Sequence, residues 1–291
     1  MIKNLFVVPV AFLALLAIHA CNPLNPAQDI PSYITIDTIS FEGTDPAHGT
    51  SNQKISDAWV YVNDNLIGAF ELPTTFPVLS EGKQKVMVIG GIRINGIAAT
   101  RTSYPYFQGW TENIDLKLKE TTVIKPIEKY NPATTFRYTA DFENGLNLVN
   151  LPDGKAEPQM IISTSVLDPE LNGTACGGIF LEDSMNRFSI RQKADTSLFL
   201  PTGGRPVFLE LNYKSNHPFS IGIISSYPTG EEGSRIMTIN PSANWNKIYV
   251  NLTAAVNENF QAQGYNLWFF GDKLESIPRG EIYLDNIKVL Y

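Results

Sequence analysis

The chain has 291 residues, 43% of them hydrophobic, with 22 basic against 29 acidic side chains and a formal net charge of −7. That apolar content is enough for real cores, and the acidic balance without a basic cluster excludes an ordinary nucleic-acid-binding surface. Cys21 and Cys176 are the two cysteines, too few for a disulfide framework or a cysteine metal cluster.

The first residues are a leader by their chemistry. Lys3 gives a positive start, Leu5 to Ile18 is almost wholly apolar, and His19-Ala20-Cys21 closes the segment. A run of about fourteen apolar residues broken by Pro9 is too short to span a bilayer but suits the core of a signal peptide. Ile18-His19-Ala20-Cys21 resembles the lipobox of bacterial lipoproteins, with an aliphatic residue at −3, a small one at −1 and His19 at the permissive −2 position. The resemblance implies a signal peptide over 1–20, acyl chains (palmitate among them) on Cys21, and a cell-envelope address. That address is lipid-anchored at the outer membrane with its leaflet open. Each buried methylene contributes about 0.8 kcal/mol, so several chains would hold the protein to a membrane. An ordinary secretory signal and an uncleaved anchor are the competing readings. Residues 21–29, polar and broken by Pro23 and Pro26, read as a tether.

About 270 residues follow, enough for two domains. Short alternating runs separated by Gly, Pro, Asn and Asp predict an all-β chain, with one or two helical turns at Thr253 to Phe260. A first domain is placed at 30–128. Its strands are Ser32 to Phe41, Ala58 to Val62, Leu66 to Phe70 after an Asn63-Asp64-Asn65 turn, Lys85 to Ile89, Arg93 to Thr100, Ile114 to Leu118 and Thr121 to Ile124. Val60 through Pro73, then Leu79, Gly82 and Lys85 to Ile89, resemble Ig-like β-sandwiches of the PEGA or carboxypeptidase-regulatory type, which implies an accessory module without catalysis.

The proline-bearing stretch Lys125 to Thr135 contains a linker, 129–135, and a second domain covers 136–291. Its strands are Arg187 to Gln192, Pro206 to Tyr213, Phe219 to Ser225, Arg235 to Asn240, Lys247 to Leu252, Tyr265 to Phe270 and Glu281 to Leu290. Asp141 to Gly145, Trp245 to Tyr249 and Tyr283 to Val289, in that order, resemble a jelly-roll of the galactose-binding-like or carbohydrate-binding-module type. That resemblance implies a structural calcium ion between Glu143 on the first strand and Asp285 on the last, since a hard cation takes six to eight oxygens. It also makes Trp245 the core tryptophan. Turn carboxylates are the alternative for Glu143 and Asp285. Asp168 to Gly173 follows the rhythm of a calcium loop, but Ile179 would stand at its closing position, so an ordinary loop is preferred.

Aromatic residues are the candidate ligand contacts. Tyr104, Tyr106 and Trp110 lie within seven residues and either stack on a sugar or cover the end of the first sandwich. Both alternating faces of Leu267-Trp268-Phe269-Phe270 are apolar, so one pair faces away from the core, towards a binding surface or a covering element. Phe208, Tyr249 and Trp268 share that face if their strands are neighbours. Enzymatic signatures are thin: there is no Gly-x-Ser-x-Gly, no phosphate-binding loop and no His-Glu-x-x-His. Cys176 with His217 would be a thiol-base pair, but a buried thiol and a loop histidine are preferred. Asp37-Thr38-Ile39 and Asp183-Ser184-Met185 match a short O-glycosylation motif of Bacteroidetes-like bacteria. The expected protein is a non-catalytic, lipid-anchored surface protein whose jelly-roll binds a glycan or other envelope ligand. An accessory subunit of an outer-membrane secretion or polysaccharide-uptake complex is the first alternative, and a glycoside hydrolase the second.

Overall fold

The computed structural model describes residues 29–43, 45, 48–162, 174–193 and 197–291. Cys21 with its leader, and the Asp168 to Gly173 stretch, lie outside the described residues. The described chain is almost entirely β, with one short helix, and no described helix is long and apolar enough to cross a membrane.

The first half carries three sheets. β1 (Ser32–Ile36) pairs antiparallel with β5 (Thr74–Val78) and parallel with β9 (Thr121–Ile124). β2 (Ser40–Phe41) pairs with β10 (Ile127–Glu128). The third sheet has β3 (Asp57–Val62) between β4 (Asn65–Glu71) and β6 (Gly82–Arg93), and β7 (Arg101–Ser103) and β8 (Trp110–Leu116) also pair with β6. Alternation places Ala58, Val60, Val62, Val86 and Val88 in one core with Ile34, Ile36, Phe76 and Val78. Asn63 and Asp64 both take left-handed backbone, the geometry of a tight hairpin turn between β3 and β4.

Arg93 to Thr100, expected as a strand, is instead a turn. Asn95 and Gly96 have φ of 56° and 69°, which strand backbone does not accommodate. Ser32 to Phe41 is likewise broken into β1 and β2.

The second half is a two-sheet sandwich. One sheet orders β13 (Gln159–Ile161), β14 (Cys176–Leu181), β21 (Gly280–Leu290), β16 (Phe208–Ser215) and β19 (Ser242–Asn251), with β11 (Phe136–Ala140) also on β21. The other orders β12 (Leu148–Asn150), β15 (Arg187–Gln192), β20 (Gly264–Asp272), β17 (Phe219–Tyr227) and β18 (Gly230–Ile239). The helix α1 (Thr253–Glu258) buries Val256 against this core. Leu209, Leu211, Ile248, Val250, Ile221, Ile223, Leu267 and Phe269 fill the space between the sheets. Asn286, with φ of 48°, sits beside a register shift on β21. The extra residue changes the phase of the strand, so that Ile282 and Leu284, then Ile287 and Val289, all face the core.

The outer face of the first of these sheets is covered by the first half of the chain. Phe208, Tyr249 and Leu290 cluster there with Ile92, Tyr104, Tyr106 and Phe107. Tyr104 meets Tyr106, Phe107, Phe208 and Tyr249 edge-on at centroid distances of 4.9 to 5.5 Å. Tyr130, in the expected linker, packs its ring on Phe41 and Phe136. Through Tyr130 this stretch takes part in the junction.

A buried ion pair lies within this junction. Glu210 on β16 stands directly across from Tyr249 and Lys288, and its Oε2 is 2.8 Å from Lys247 Nζ. Tyr104 and Tyr130 donate their hydroxyls to its two oxygens at 3.0 and 2.8 Å. Burial raises the Glu210 carboxyl, but Lys247 and then Lys288 beside it outweigh that and hold it below the usual carboxylate range. Lys288, pushed down to about 7 by burial and by Lys247, donates to the Thr50 carbonyl at 2.9 Å. Lys54 N donates to the Tyr249 hydroxyl, Asn95 N to the Tyr249 carbonyl, and Asn212 to Asn52. Glu210→Ala leaves Lys247 buried without its counter-charge, so it is expected to cost about 3–5 kcal/mol of stability, read as a lower urea midpoint. An unchanged midpoint would show that the junction does not depend on this carboxylate.

Candidate functional site

The exposed face of the sandwich is the outer side of the β12-β15-β20-β17-β18 sheet. Alternation along β20 turns Trp268 and Phe270 outward while Leu267 and Phe269 enter the core. Trp268 stays wide and flat because its neighbours are small. Gly222 on β17 pairs directly with it, and a Cβ there would stand 3.0 Å from the indole. A Cβ on Gly233 of β18 would come to 2.9 Å. At its other edge the indole Nε1 donates to Ser189 Oγ on β15 at 3.0 Å. The ring thus spans the sheet from β15 to β18. Phe270 stacks on it at 3.7 Å and 17°, and the Arg235 guanidinium lies 5.4 Å from the Phe270 centroid.

These rings stand in a cavity of about 470 Å³ that Arg187, Arg235, Asp153, Asp272 and Thr238 also line. Its size is within the roughly 300–1,000 Å³ of small-molecule sites. Arg187 grips Asp272 with Nε at 2.8 Å and a second nitrogen at 3.5 Å. Ser220 and Thr238 place their hydroxyls 3.0 Å apart on adjacent strands. Arg235 forms no ion pair among the described residues, so its donors are available to a ligand. His217 closes one end: its Nε2 accepts from Leu274 N at 3.0 Å, and its Nδ1 faces the Pro218 carbonyl at 2.6 Å. Both ring nitrogens are committed to backbone and burial lowers the imidazole, so His217 is a wall rather than a base for a thiol. Cys176 is fully buried, its thiol pushed up to about 12 by burial and by Asp285.

The aromatic contacts expected from the sequence divide. Trp268 lies at this cavity. Tyr104 and Tyr106, with 1% and 7% exposure, are enclosed at the junction, where their hydroxyls serve Glu210 and the Pro206 carbonyl. Trp110 packs half-buried on the core of the first half. Tyr104 and Tyr106 are therefore not placed to stack on a ligand, because the docking of the two halves encloses them. Phe208 and Tyr249 belong to the opposite sheet from Trp268, so the three do not share a face. Trp245 is half-buried in β19 and is not part of the core. The residues that sequence reasoning missed are Arg187, Arg235, Asp272 and the two glycines. Only the Gly222 gap in an otherwise apolar strand carried a signal.

Glu143 and Asp285 lie at another place. Glu143 accepts from the backbone of Thr174 and Ala175 at 2.6 and 3.0 Å, and from the Thr174 hydroxyl. Asp285 is buried and accepts from Asn286 N at 2.7 Å. Burial first, then the charges of Glu143 and Asp141, push its carboxyl up to about 8. No group of three or more His, Cys, Asp or Glu side chains that could hold a metal occurs among the described residues.

No family model matches the sequence, and no curated protein matches it. Among solved structures, the chain is similar to a Clostridium thermocellum xylanase fragment with CBM22-1 and GH10 modules, complexed with xylohexaose. That match has 15% identity over 53% of this chain, a TM-score of 0.38, and spans only 28% of the xylanase chain. A family 11 carbohydrate-binding module from Clostridium thermocellum, in complex with a mixed-linked tetrasaccharide, matches at 13% identity over 52% of this chain and 92% of its own, with a TM-score of 0.36. A family 30 carbohydrate-binding module of a cellulosomal cellulase from the same organism matches at 12% identity over 55% and 94%, with a TM-score of 0.37.

A folded Asp285 near 8 against about 3.9 unfolded means that the native state binds the extra proton. In a chelating buffer, stability is therefore expected to fall as pH rises from about 4 to about 8. Asp285→Asn should flatten that fall and exceed the wild type at pH 8, as read by thermal unfolding across the range.

Proposed function

We propose that the protein is a non-catalytic glycan-binding protein whose ligand lies in the cavity over Trp268. The observation that carries this reading is the combination in that cavity. An aromatic slab is held on Gly222 and Gly233, and the Arg235 guanidinium, which has no ion-pair partner among the described residues, and paired hydroxyls surround it. Sugars present both chemistries at once: apolar C–H faces that rest on rings, and hydroxyls that planar charged groups and side-chain hydroxyls bond. Arg187 and Asp272, fixed by one another, are preorganised for the second task. Asp153 and Asp272 line the same cavity, and that pair of carboxylates is what favours the rival glycoside hydrolase. Affinity electrophoresis against neutral and acidic polysaccharides tests the binding. Trp268→Ala and Arg235→Ala should each weaken it at least about tenfold, or about 1.4 kcal/mol. Unretarded migration of the wild type through the whole panel would remove the glycan reading, and reducing ends released from a retained polysaccharide would favour the hydrolase.

The same proposal sets the protein on the cell envelope through acyl chains on Cys21, supported by the apolar leader and the Ile18-His19-Ala20-Cys21 ending. Cys21→Ser should then move the protein from the membrane to the soluble fraction of the producing cell.

Calcium is a further part of this reading. The residues suit it in one respect: Asp285 is a buried carboxyl whose neighbouring charges, Glu143 and Asp141, are of its own sign, and a cation beside it would favour its ionised form. Glu143 and Asp285 would hold the ion, and its contribution would be structural, joining β21 to the segment after β11. In the comparison of wild type and Asp285→Asn described above, millimolar calcium should raise only the wild-type melting temperature. An equal response in both would exclude this position.

A further inference from the structure

A second, smaller cavity lies in the junction on the other side of the sandwich. It has a volume of about 60 Å³ and is lined by Lys54, Ser56, Arg93 and Gly96 from the first half and by Lys247 and Tyr249 from the second. That is about two waters' worth of space, too little for a sugar ring. Its walls are unusually basic for a protein of net charge −7. Lys54, Arg93 and Lys247 line the cavity, and together with Arg101, which shares Glu71 with Arg93, they meet three carboxylates. Glu71 is shared by Arg93 and Arg101, Asp57 is taken by Arg101, and Glu210 by Lys247. Lys54 is left over. Its ammonium donates to Asn246 Oδ1 at 2.6 Å and has no carboxylate within ion-pair distance among the described residues. Burial, then the charge of Arg93, lowers it.

Unmet donors point the same way. Arg93 gives one terminal nitrogen to Glu71 at 2.7 Å, but its Nε is buried and has no hydrogen-bond partner. Lys247 Nζ is 2.8 Å from Glu210 Oε2, a contact that engages only one of its three ammonium hydrogens. Buried donors of this kind cost stability unless something accepts from them. The cavity that they line joins three cationic side chains from both halves of the chain.

We propose that the junction cavity binds one small inorganic oxyanion, phosphate or sulfate, which accepts from Lys54, Arg93 and Lys247 and ties the two halves together. The volume suits a free tetrahedral ion. The basic groups come from the segment before β3 and the end of β6 in the first half and from β19 in the second, so the ion adds a bond across the junction that neither half makes alone. It binds the folded chain and not the unfolded one, so its signature is a melting temperature that rises with its concentration.

Thermal unfolding at pH 7 in sodium phosphate, sodium sulfate and sodium chloride of equal ionic strength tests this. The phosphorus resonance of inorganic phosphate, titrated with protein, reports binding directly. Phosphate and sulfate should raise the melting temperature above that in chloride, and the phosphorus line should broaden. Lys54→Met replaces an ammonium without a counter-charge by an apolar stem of similar length, so its melting temperature in chloride should hold. Both responses should shrink several-fold in it. Lys83→Met, on the exposed part of β6, should leave them intact. Equal melting temperatures in the three salts with an unbroadened line would mean that the cavity holds water only, and would overturn the proposal. Loss of the responses in Lys83→Met, or their full retention in Lys54→Met, would overturn it as well, by placing the ion on the surface.

Discussion

The arrangement of this protein depends on a carboxylate taken out of water. Glu210 is fully buried between the two halves of the chain, and it is tolerated there only because Lys247, Tyr104 and Tyr130 meet it. Two charges withdrawn from water repay the loss only when geometry and further hydrogen bonds are good. Such a group fixes orientation more sharply than apolar packing does, because a small slip leaves a charge unpaired. Around it the aromatic cluster of Tyr104, Phe107, Phe208 and Tyr249 adds burial that is less demanding about angle.

That constraint decides which face of the sandwich is free. The sheet carrying Glu210, Tyr249 and Lys288 is closed by the first half, including the Asn95 turn and the segment from Thr50 to Lys54. The opposite sheet keeps its outer face, and the cavity over Trp268 forms there. Two sheets with similar alternation thus have different fates. On one, the outward residues are charged and aromatic and become an internal junction; on the other, they are aromatic and charged and line an open site.

The site itself rests on what is missing from its neighbours. Gly222 and Gly233 lie on adjacent strands, and the indole of Trp268 occupies the space that two side chains would fill. Phe270 and Arg235 then stack in sequence over it, so the cavity wall is layered from one strand outward. Asn286 performs a related service on the other sheet. Its left-handed backbone shifts the phase of β21, which keeps the core apolar while turning Lys288 towards Glu210.

Period-two alternation determined by itself that the chain is all-β, where most late strands run, and that Leu267 and Phe269 or their neighbours must face outward. Arg187 to Gln192 is read to the residue, because Phe188 and Ile190 enter the core between arginines that stay at the surface, although Ser189 and Gln192 are buried as well. Alternation tells which residues share a face; it does not tell what covers that face. Glu210, Lys247 and Lys288 are polar positions in otherwise apolar strands, and nothing in the alternation marks them as enclosed. Tyr104 and Tyr106 read as a presentable cluster for the same reason, and only the docking of the halves buries them. The joining of Arg187 to Asp272, and of Lys54 to Arg93 and Lys247, was likewise decided by tertiary structure. These pairs are far apart in sequence, and strand order brings them together.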